Sequence, residues 1–219
     1  MAIDKKGVNI ETPFPESRAH RDAVIRLKEE LRKREPQEIA RRSGAPYREE
    51  GEGKGYFQMI LFGERIIVTY PEFDVLEADM GKRASERFCA IVLHYLHKAE
   101  GSPEEGRWVS LAELPDGQFY RQAYQGYSGN RLLKIFGNDL GRFEKAATAA
   151  GGEKEEIGDA SYSFRVLPRI PLLAVYWRGD EEFGPSCQIL FDASVSHYLP
   201  TDMCAFLGSV LADRILLKA

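Results

Sequence analysis

The segment YFQMILFGERIIVTY, residues 56–70, indicates the fold class, because two runs of strand-forming residues lie on either side of a glycine. Residues 56–62 and 65–70 are rich in Ile, Phe, Val and Tyr, which favour β-strands. The dipeptide Gly63-Glu64 separates the two runs, and a two-residue connection that contains glycine is typical of a tight hairpin. The segment therefore predicts an antiparallel β-hairpin.

Helical patterns lie on both sides of this hairpin. Residues 17–34 place apolar side chains near helical spacing, and Pro36 stops this amphipathic first helix. A short helical piece at 36–44 and a loop rich in Gly and Glu at 47–55 lead into the hairpin. Residues 83–99 are apolar over more than half of a helical circumference, so we expect a largely buried helix there.

The rest of the chain has a helical middle and then returns to strands before a closing helix. Two strand regions separated by helices indicate a mixed α+β fold with mainly antiparallel sheets, since a doubly wound sheet would alternate strand and helix throughout. We expect an N-terminal helical arm at 1–46 and a single α+β domain at 47–219. The further elements predicted are an extended piece at 108–114, helices at 118–127 and 131–150, strands at 162–167, 172–177 and 186–191, and a helix at 201–217.

The composition excludes several classes of protein. The 219 residues are 43% hydrophobic and 29% charged, which is typical of a packed globular protein. The formal net charge of -4 argues against nucleic-acid binding, which needs a surplus of Lys and Arg. No apolar run reaches the roughly 18 residues that span a bilayer, and residues 1–9 lack the apolar core of a secretion signal. We therefore expect a cytoplasmic protein with no membrane partner.

The cysteine pattern indicates reduced thiols. Cys89, Cys187 and Cys204 are isolated within apolar segments, and the sequence contains no CxxC pair. We therefore expect neither a disulfide framework nor a zinc or iron-sulfur site built by this chain alone.

Several motifs carry a resemblance to a known family. They are LHYL at 93–96, WVS at 108–110, LP at 114–115, PRIPLL at 168–173, WRGDEEF at 177–183, LFD at 190–192 and HYLPTD at 197–202. From about residue 40 onward, the chain resembles an uncharacterised family, a domain of unknown function found mainly in anaerobic bacteria. Some members of that family carry an N-terminal four-cysteine iron-sulfur domain, similar to that of the corrinoid iron-sulfur protein of one-carbon metabolism, and this sequence has no such cysteines. The resemblance implies a setting in anaerobic cofactor or one-carbon metabolism and supplies no catalytic residues.

We predict an anion-binding site just before the closing helix. His197 and Tyr198 precede the residues PTD at 200–202, which supply the usual chemistry of a helix N-terminus. A helix N-terminus near an arginine and a histidine can bind an anion. Arg169, His197 and the amides of this turn are therefore expected to bind a carboxylate or phosphate of a small molecule.

Asp192 is expected at the same end of the molecule. A regular strand over 186–191 would place Asp192 about 20 Å from the loop before that strand, at roughly 3.3 Å per residue, and close to Arg169. Two interpretations remain open. Asp192 contributes to the ligand site, or it forms an ion pair with Arg169 that only stabilises the strand end.

Three tyrosines share one face of the predicted helix at 118–127. An aromatic stripe of this kind, formed by Tyr120, Tyr124 and Tyr127, belongs either to the core or to the edge of a cofactor-binding cleft. A tyrosine hydroxyl needs a hydrogen-bond partner or water, whereas leucine and phenylalanine do not. The choice of tyrosine therefore slightly favours the cleft edge over the core.

A loop of three carboxylates, Asp180, Glu181 and Glu182, lies between two predicted strands. Adjacent carboxylates attract a hard cation such as Mg²⁺ or Ca²⁺, or a cationic partner. The alternative is a solvated turn, although Phe183 is an unusual residue for such a turn.

Histidines offer a second way to bind a metal. His94 and His97 have the i, i+3 spacing that can present two imidazoles to one ion, and His197 is a third candidate for an axial ligand. The alternative is that His94 and His97 lie on the exposed face of their helix.

The leading hypothesis is a ligand- or cofactor-binding accessory protein with a pocket between the C-terminal strands and the helical middle. The setting implied by the resemblance suggests a tetrapyrrole, either corrinoid or heme, as the ligand. One alternative is a metal-assisted enzyme that uses the loop at 180–182, and another is a module that docks an iron-sulfur or corrinoid protein. The sequence contains no phosphate-binding loop, no GxSxG motif and no HExxH motif, so enzymatic activity stays open.

Overall fold

The computed structural model describes residues 18–219, and these residues form two antiparallel sheets and seven α-helices, which confirms the α+β fold class. Residues 1–17 of the predicted N-terminal arm, including the expected start of the first helix, lie outside the described residues. The helices are α1 Arg18–Leu31, α2 Pro36–Ser43, α3 Glu86–Lys98, α4 Arg121–Tyr127, α5 Gly129–Phe136, α6 Leu140–Ala149 and α7 Thr201–Leu216. The strands are β1 Tyr47–Gly51, β2 Lys54–Leu61, β3 Glu64–Tyr70, β4 Val75–Glu77, β5 Lys82–Arg83, β6 Trp108–Val109, β7 Glu153–Glu155, β8 Ala160–Leu167, β9 Ile170–Trp177 and β10 Ser186–Asp192.

The first sheet contains β1 to β5 in chain order, and each strand is antiparallel to the next. Phe57 of β2 pairs with Val68 of β3, and both side chains are fully buried. Ile67 points to the opposite face and is partly exposed. The alternation of side chains therefore buries one face of this sheet and leaves the other face toward solvent.

The predicted hairpin is confirmed, but its turn lies one residue earlier than expected. Phe62 and Gly63 both have positive φ, 50° and 79°, and connect β2 to β3. Hairpins with a two-residue turn favour two left-handed residues of this kind. The sequence misplaces the turn because a phenylalanine favours strands and rarely adopts positive φ.

α3 is the buried helix that the sequence predicts. Ser85 caps its N-terminus by accepting a hydrogen bond from the Phe88 amide at 3.4 Å. α1 packs along α3, and Leu31 is fully buried. The Tyr95 hydroxyl of α3 donates a hydrogen bond to the Ser43 carbonyl at the end of α2. None of the helices among the described residues is long and apolar enough to cross a membrane.

The second sheet has the order β6-β10-β9-β8-β7, so the earliest of its strands pairs with the latest. Leu172 pairs with Phe191, and Trp177 pairs with Ser186. Asp192 therefore lies at the end of β10 remote from the loop that precedes this strand, as predicted. β9 is buried on both faces from Ile170 to Tyr176, which matches its continuous run of apolar residues.

The helical middle is more interrupted than the sequence indicates. The region predicted as one helix at 118–127 begins with a 3-10 turn, Gly117–Tyr120, and continues as α4. The helix predicted at 131–150 is wrong as a single element, because α5 and α6 replace it. Gly137 ends α5 with a positive φ of 52°, and the Asp139 side chain caps α6 by accepting an amide hydrogen bond at 2.9 Å.

Short elements account for the remaining differences. The loop predicted at 47–55 is wrong in part, because its first residues form the edge strand β1. β4, β5 and β7 have only two or three residues each, which is too short for alternation to reveal. At the start of α5, a Cβ on Gly129 would lie 2.0 Å from the Cys187 carbonyl oxygen, so glycine is required for α5 to approach β10.

The turn between β2 and β3 joins the two sheets. The Phe62 amide donates a hydrogen bond to the Val166 carbonyl of β8 at 2.9 Å. Arg214 of α7 donates to the Phe62 carbonyl at 3.3 Å, pairs with Glu64 at 2.7 Å, and lies over the Phe62 ring, 5.3 Å from its centre. These contacts hold Phe62 in a conformation that is costly for a bulky residue.

Candidate functional site

A cleft of about 320 Å³ opens where the end of α3, the turn at 115–120 and the start of α7 meet. We call it the α7 cleft. Its walls combine one cationic side chain, two carboxylates and several hydroxyl groups. The lining residues are Lys98, Pro115, Asp116, Tyr120, Ser196, Leu199, Pro200, Thr201 and Asp202.

Lys98 brings a positive charge to the α7 cleft. It is the last residue of α3, and its Nζ donates a hydrogen bond to the Ser196 carbonyl, which holds the ammonium group beside the turn that precedes α7. The Thr201 hydroxyl donates to the Pro115 carbonyl at 2.6 Å and ties the start of α7 to the opposite wall. The first backbone amides of a helix carry the positive end of its dipole. A cation and a helix N-terminus therefore share this cleft.

One exposed aromatic ring, that of Tyr120, lines the α7 cleft. The Tyr120 side chain is 43% exposed and Phe119 beside it is 87% exposed. A close approach fixes the turn that carries them, since a Cβ on Gly117 would lie 1.7 Å from the Leu111 carbonyl oxygen. The Tyr120 ring therefore supplies apolar surface in a polar cleft.

Two carboxylates restrict the ligands that the α7 cleft can bind. Asp202 accepts a hydrogen bond from the Met203 amide at 2.9 Å, in the first turn of α7 where a negative charge is favourable. Asp116 lies in the facing turn. Mixed charges of this kind favour a ligand that has both an anionic group and hydrogen-bond donors such as hydroxyls.

His197 and Tyr198 lie beside the α7 cleft with their polar atoms engaged elsewhere. The His197 Nδ1 atom is 2.6 Å from a carboxylate oxygen of Glu100. Tyr198 is fully buried, its hydroxyl donates to the Ser102 carbonyl, and its ring stacks on Tyr95 with centres 5.8 Å apart. Burial raises the pKa of Tyr198. The Tyr198 side chain thus belongs to the core.

Asp192 and Arg169 do not form the ion pair that was one interpretation of the sequence. The Asp192 carboxylate accepts hydrogen bonds from the amides of Glu105 and Gly106 at 3.0 and 2.8 Å, and from both the amide and the hydroxyl of Ser194. Burial opposes the charge, but these hydrogen bonds outweigh it and lower the pKa of Asp192. Asp192 therefore orders the loop before β6.

Arg169 lies in a niche between α2 and α3, away from the α7 cleft lining. Its backbone amide donates to the Tyr95 hydroxyl at 3.2 Å, and its guanidinium donates to the Arg41 carbonyl at 3.5 Å. A Cβ on Gly44 would lie 3.2 Å from the Arg169 Nε atom, so the arginine packs against the end of α2. The structure does not bring Arg169 into the same cleft as Lys98.

The tyrosine stripe divides between core and cleft. Tyr124 is buried, donates a hydrogen bond to the Ile189 carbonyl at 3.0 Å and packs edge-on against Tyr127. Burial raises the pKa of Tyr124 well above its usual value and that of Tyr127 to about 12. Tyr120 is the member of the stripe that lines the α7 cleft.

In the loop with Asp180, Glu181 and Glu182, the first carboxylate is hydrogen-bonded to the loop's own backbone. One oxygen of Asp180 accepts hydrogen bonds from the amides of Glu182 and Phe183 at 2.8 and 2.7 Å. These bonds, first that of Phe183, lower the pKa of Asp180. Among residues 18–219, no group of three or more His, Cys, Asp or Glu side chains is placed to hold a metal ion.

His94 and His97 are half-buried on α3 rather than fully exposed. The His97 carbonyl accepts a hydrogen bond from Arg34, and burial, assisted by the Arg34 charge, lowers the pKa of His97. Neither histidine, nor His197, is among the residues that line the α7 cleft.

A family model for a domain of unknown function, DUF3786, matches residues 35–214. The chain belongs to the DUF3786 family. The DUF3786 match begins inside the predicted N-terminal arm and covers every strand and the whole α7 cleft. No curated protein and no solved structure matches the chain.

Sequence reasoning missed Lys98 as a site residue within the DUF3786 region. The motif at 197–202 drew attention to the start of α7, because proline, threonine and aspartate are typical of a helix N-terminus. Lys98 gave no such signal, since a lysine in the last turn of a helix is commonplace. Only the packing of α3 against the turn before α7 places Lys98 near Thr201.

Proposed function

We propose that this protein is a cytoplasmic ligand-binding accessory protein that binds a small anionic molecule in the α7 cleft. One observation carries the proposal: the Lys98 ammonium is fixed beside the N-terminus of α7 in an open cleft. A carboxylate or phosphate bound there would gain a charge-assisted hydrogen bond from Lys98 and the favourable end of the α7 dipole. The setting in anaerobic cofactor metabolism is part of this proposal and rests on the family resemblance.

The size and lining of the α7 cleft favour a small metabolite over a tetrapyrrole. A volume of about 320 Å³ holds roughly ten waters, so it suits a ligand of about that many heavy atoms. A corrinoid or heme usually needs an axial ligand, and the candidate histidines lie outside the lining. Asp116, Asp202 and the hydroxyls favour a ligand that carries hydroxyl groups together with its anionic group.

Calorimetric titration of the full chain with inorganic phosphate, malate and citrate at constant ionic strength tests this proposal. We expect saturable binding of at least one probe, weakened at least about fivefold in Lys98→Gln, because one charge-assisted hydrogen bond is lost. Lys145→Gln is the matched control, since Lys145 is exposed on α6 far along the chain from the cleft residues. Equal affinity in the Lys98→Gln variant and the unmodified protein would contradict the proposal.

A visible spectrum distinguishes the tetrapyrrole hypothesis from the small-anion proposal. The protein for this spectrum is purified without oxygen from cells supplied with cobalamin and heme precursors. Stoichiometric absorbance with matching cobalt or iron content would support the tetrapyrrole hypothesis and contradict the small-anion proposal. A colourless protein that binds phosphate or a hydroxy acid supports the present proposal. A colourless protein that binds none of the probes would favour the docking of an iron-sulfur or corrinoid protein instead.

A further inference from the structure

A second cleft, of about 210 Å³, lies at the junction of the two sheets and shares no lining residue with the α7 cleft. β7 begins at Glu153, opposite Ser163 of β8. Two residues further along β8 from Phe164, the Val166 carbonyl accepts the hydrogen bond from the β2–β3 turn. Between these two points, residues 164 and 165 have no neighbouring strand on this edge within the described part of the chain. The gap in the sheet edge forms this junction cleft.

The floor of the junction cleft is apolar. Phe164, Val166, Pro171 and Leu211 line it and are buried, and the half-buried Phe62 completes its apolar lining. Phe62 keeps its positive φ of 50° although asparagine or glycine would adopt this turn at lower cost.

Charged groups of both signs surround this floor. Arg165 pairs with Glu104 through two contacts of 2.6 and 3.1 Å, and Arg214 is held by Glu64 and by the Phe62 carbonyl. Glu153 of β7 also lines the cleft and acts electrostatically on Arg165. The end of α6, at residues 150 and 151, also lines the cleft and contributes the negative end of the helix dipole.

We infer that the junction cleft binds a small zwitterion with an apolar body, namely an apolar α-amino acid. Arg165 and Arg214 receive its carboxylate, whereas Glu153 and the carbonyl end of α6 receive its ammonium group. Its side chain packs against Phe62, Phe164 and Leu211. The volume equals that of about seven waters at roughly 30 Å³ each, which suits a molecule of leucine or methionine size.

Calorimetric titration of the full chain with L-leucine, L-methionine and L-phenylalanine tests this inference. We expect at least one of them to bind saturably, and 4-methylpentanoate and 3-methylbutylamine, which each keep one charge of leucine, to bind at least about fivefold more weakly. Absence of saturable binding by all three amino acids would overturn the inference. Equal binding by either single-charge analogue would overturn the zwitterion assignment.

Two variant pairs locate the bound amino acid. Arg165→Gln and Glu104→Gln both break the same ion pair, but only the first removes the cation that receives the ligand carboxylate. We expect Arg165→Gln to weaken binding at least about fivefold and Glu104→Gln to leave it unchanged or tighter. Equal loss in both variants would show that the ion pair is structural and would overturn the site.

Glu153→Gln tests the ammonium side in the same way, with Glu156→Gln as its matched control on the neighbouring exposed turn. We expect Glu153→Gln to weaken the binding of the amino acid at least about fivefold and to leave the weak binding of 4-methylpentanoate unchanged. Glu156→Gln should behave as the unmodified protein does. Unaltered amino-acid affinity in Glu153→Gln would contradict the assigned orientation of the ligand.

Discussion

The two sheets have the same number of strands but differ in how many of their faces are buried. The first sheet is formed by five consecutive strands and buries one face, whereas the second sheet adds the distant β6 to four consecutive strands and buries both faces around β9. Apolar side chains alternate with polar or half-exposed ones in β3, and they run without interruption through β9. The second sheet therefore lies at the centre of the core, and the first sheet is peripheral and packs on α3.

The two sheets also differ in where their charged side chains lie. In the second sheet, the Asp192 carboxylate is buried and satisfied by the backbone of the loop before β6. In the first sheet, Arg65 pairs with Asp79 at the surface, where both side chains are more than half exposed. The comparison predicts that changes on either face of the second sheet cost more stability than changes on the solvent face of the first sheet.

The largest effect is expected on β9. Leu172 and Leu173 are adjacent and fully buried, so they project to opposite faces of the second sheet. Leu172→Ala and Leu173→Ala should each lower the free energy of unfolding by about 2–5 kcal/mol, measured by urea denaturation. A cost below about 1 kcal/mol for one of the two would show that its face is not packed, which would break the comparison.

A smaller effect, dependent on pH, is expected for Asp192→Asn. At neutral pH the variant should lose about 1–3 kcal/mol of stability, because charge-assisted hydrogen bonds to the loop become weaker. The folded-state pKa of Asp192 is lowered from 3.8, so its contribution is complete above the unfolded-state pKa and is lost as pH falls through the folded-state pKa. Urea denaturation at neutral pH and near about pH 3 should show the difference between variant and unmodified protein shrinking. A constant difference would exclude the carboxylate charge as its cause.

On the solvent face of the first sheet, Ile67→Thr should cost less than about 1 kcal/mol, since Ile67 is partly exposed and threonine retains a branched Cβ. The neighbouring Ile66→Thr is the control, because Ile66 is 3% exposed and its loss should cost several times as much. Urea denaturation of both variants gives the ratio. Equal costs would mean that both faces of this sheet are buried in solution.

The smallest effect is expected for Asp79→Asn, which removes the surface ion pair with Arg65. The change should cost about 0–1 kcal/mol and should diminish further at high salt, because exposed charges are screened. Thermal unfolding at low and high ionic strength measures this difference. A salt-independent loss would indicate that Asp79 has a structural role beyond the ion pair.

The same division explains which parts of the structure the sequence could predict. The apolar runs in β2, β3, β8, β9 and β10 predict these strands from sequence alone. The sequence also places Phe62 in a strand, because its turn conformation depends on contacts with Arg214 and Val166 that the sequence does not show. In the same way, Tyr120 was found as one of a stripe, but its separation from Tyr124 depends on how α4 packs against β10. Lys98 could not be found, because its meeting with the start of α7 joins segments about a hundred residues apart.

The order of strands in the second sheet also constrains when the protein can fold during its synthesis. β6 leaves the ribosome long before β10, the strand to which it pairs through Val109 and Phe191. The first sheet pairs only neighbouring strands, so it can form while the rest of the chain is still being made. In the second sheet, β7, β8 and β9 can likewise pair as they emerge, but β6 has no partner strand until β10 has been made. In the nascent chain, β6 is thus the strand for which chaperones would have the longest access before it pairs.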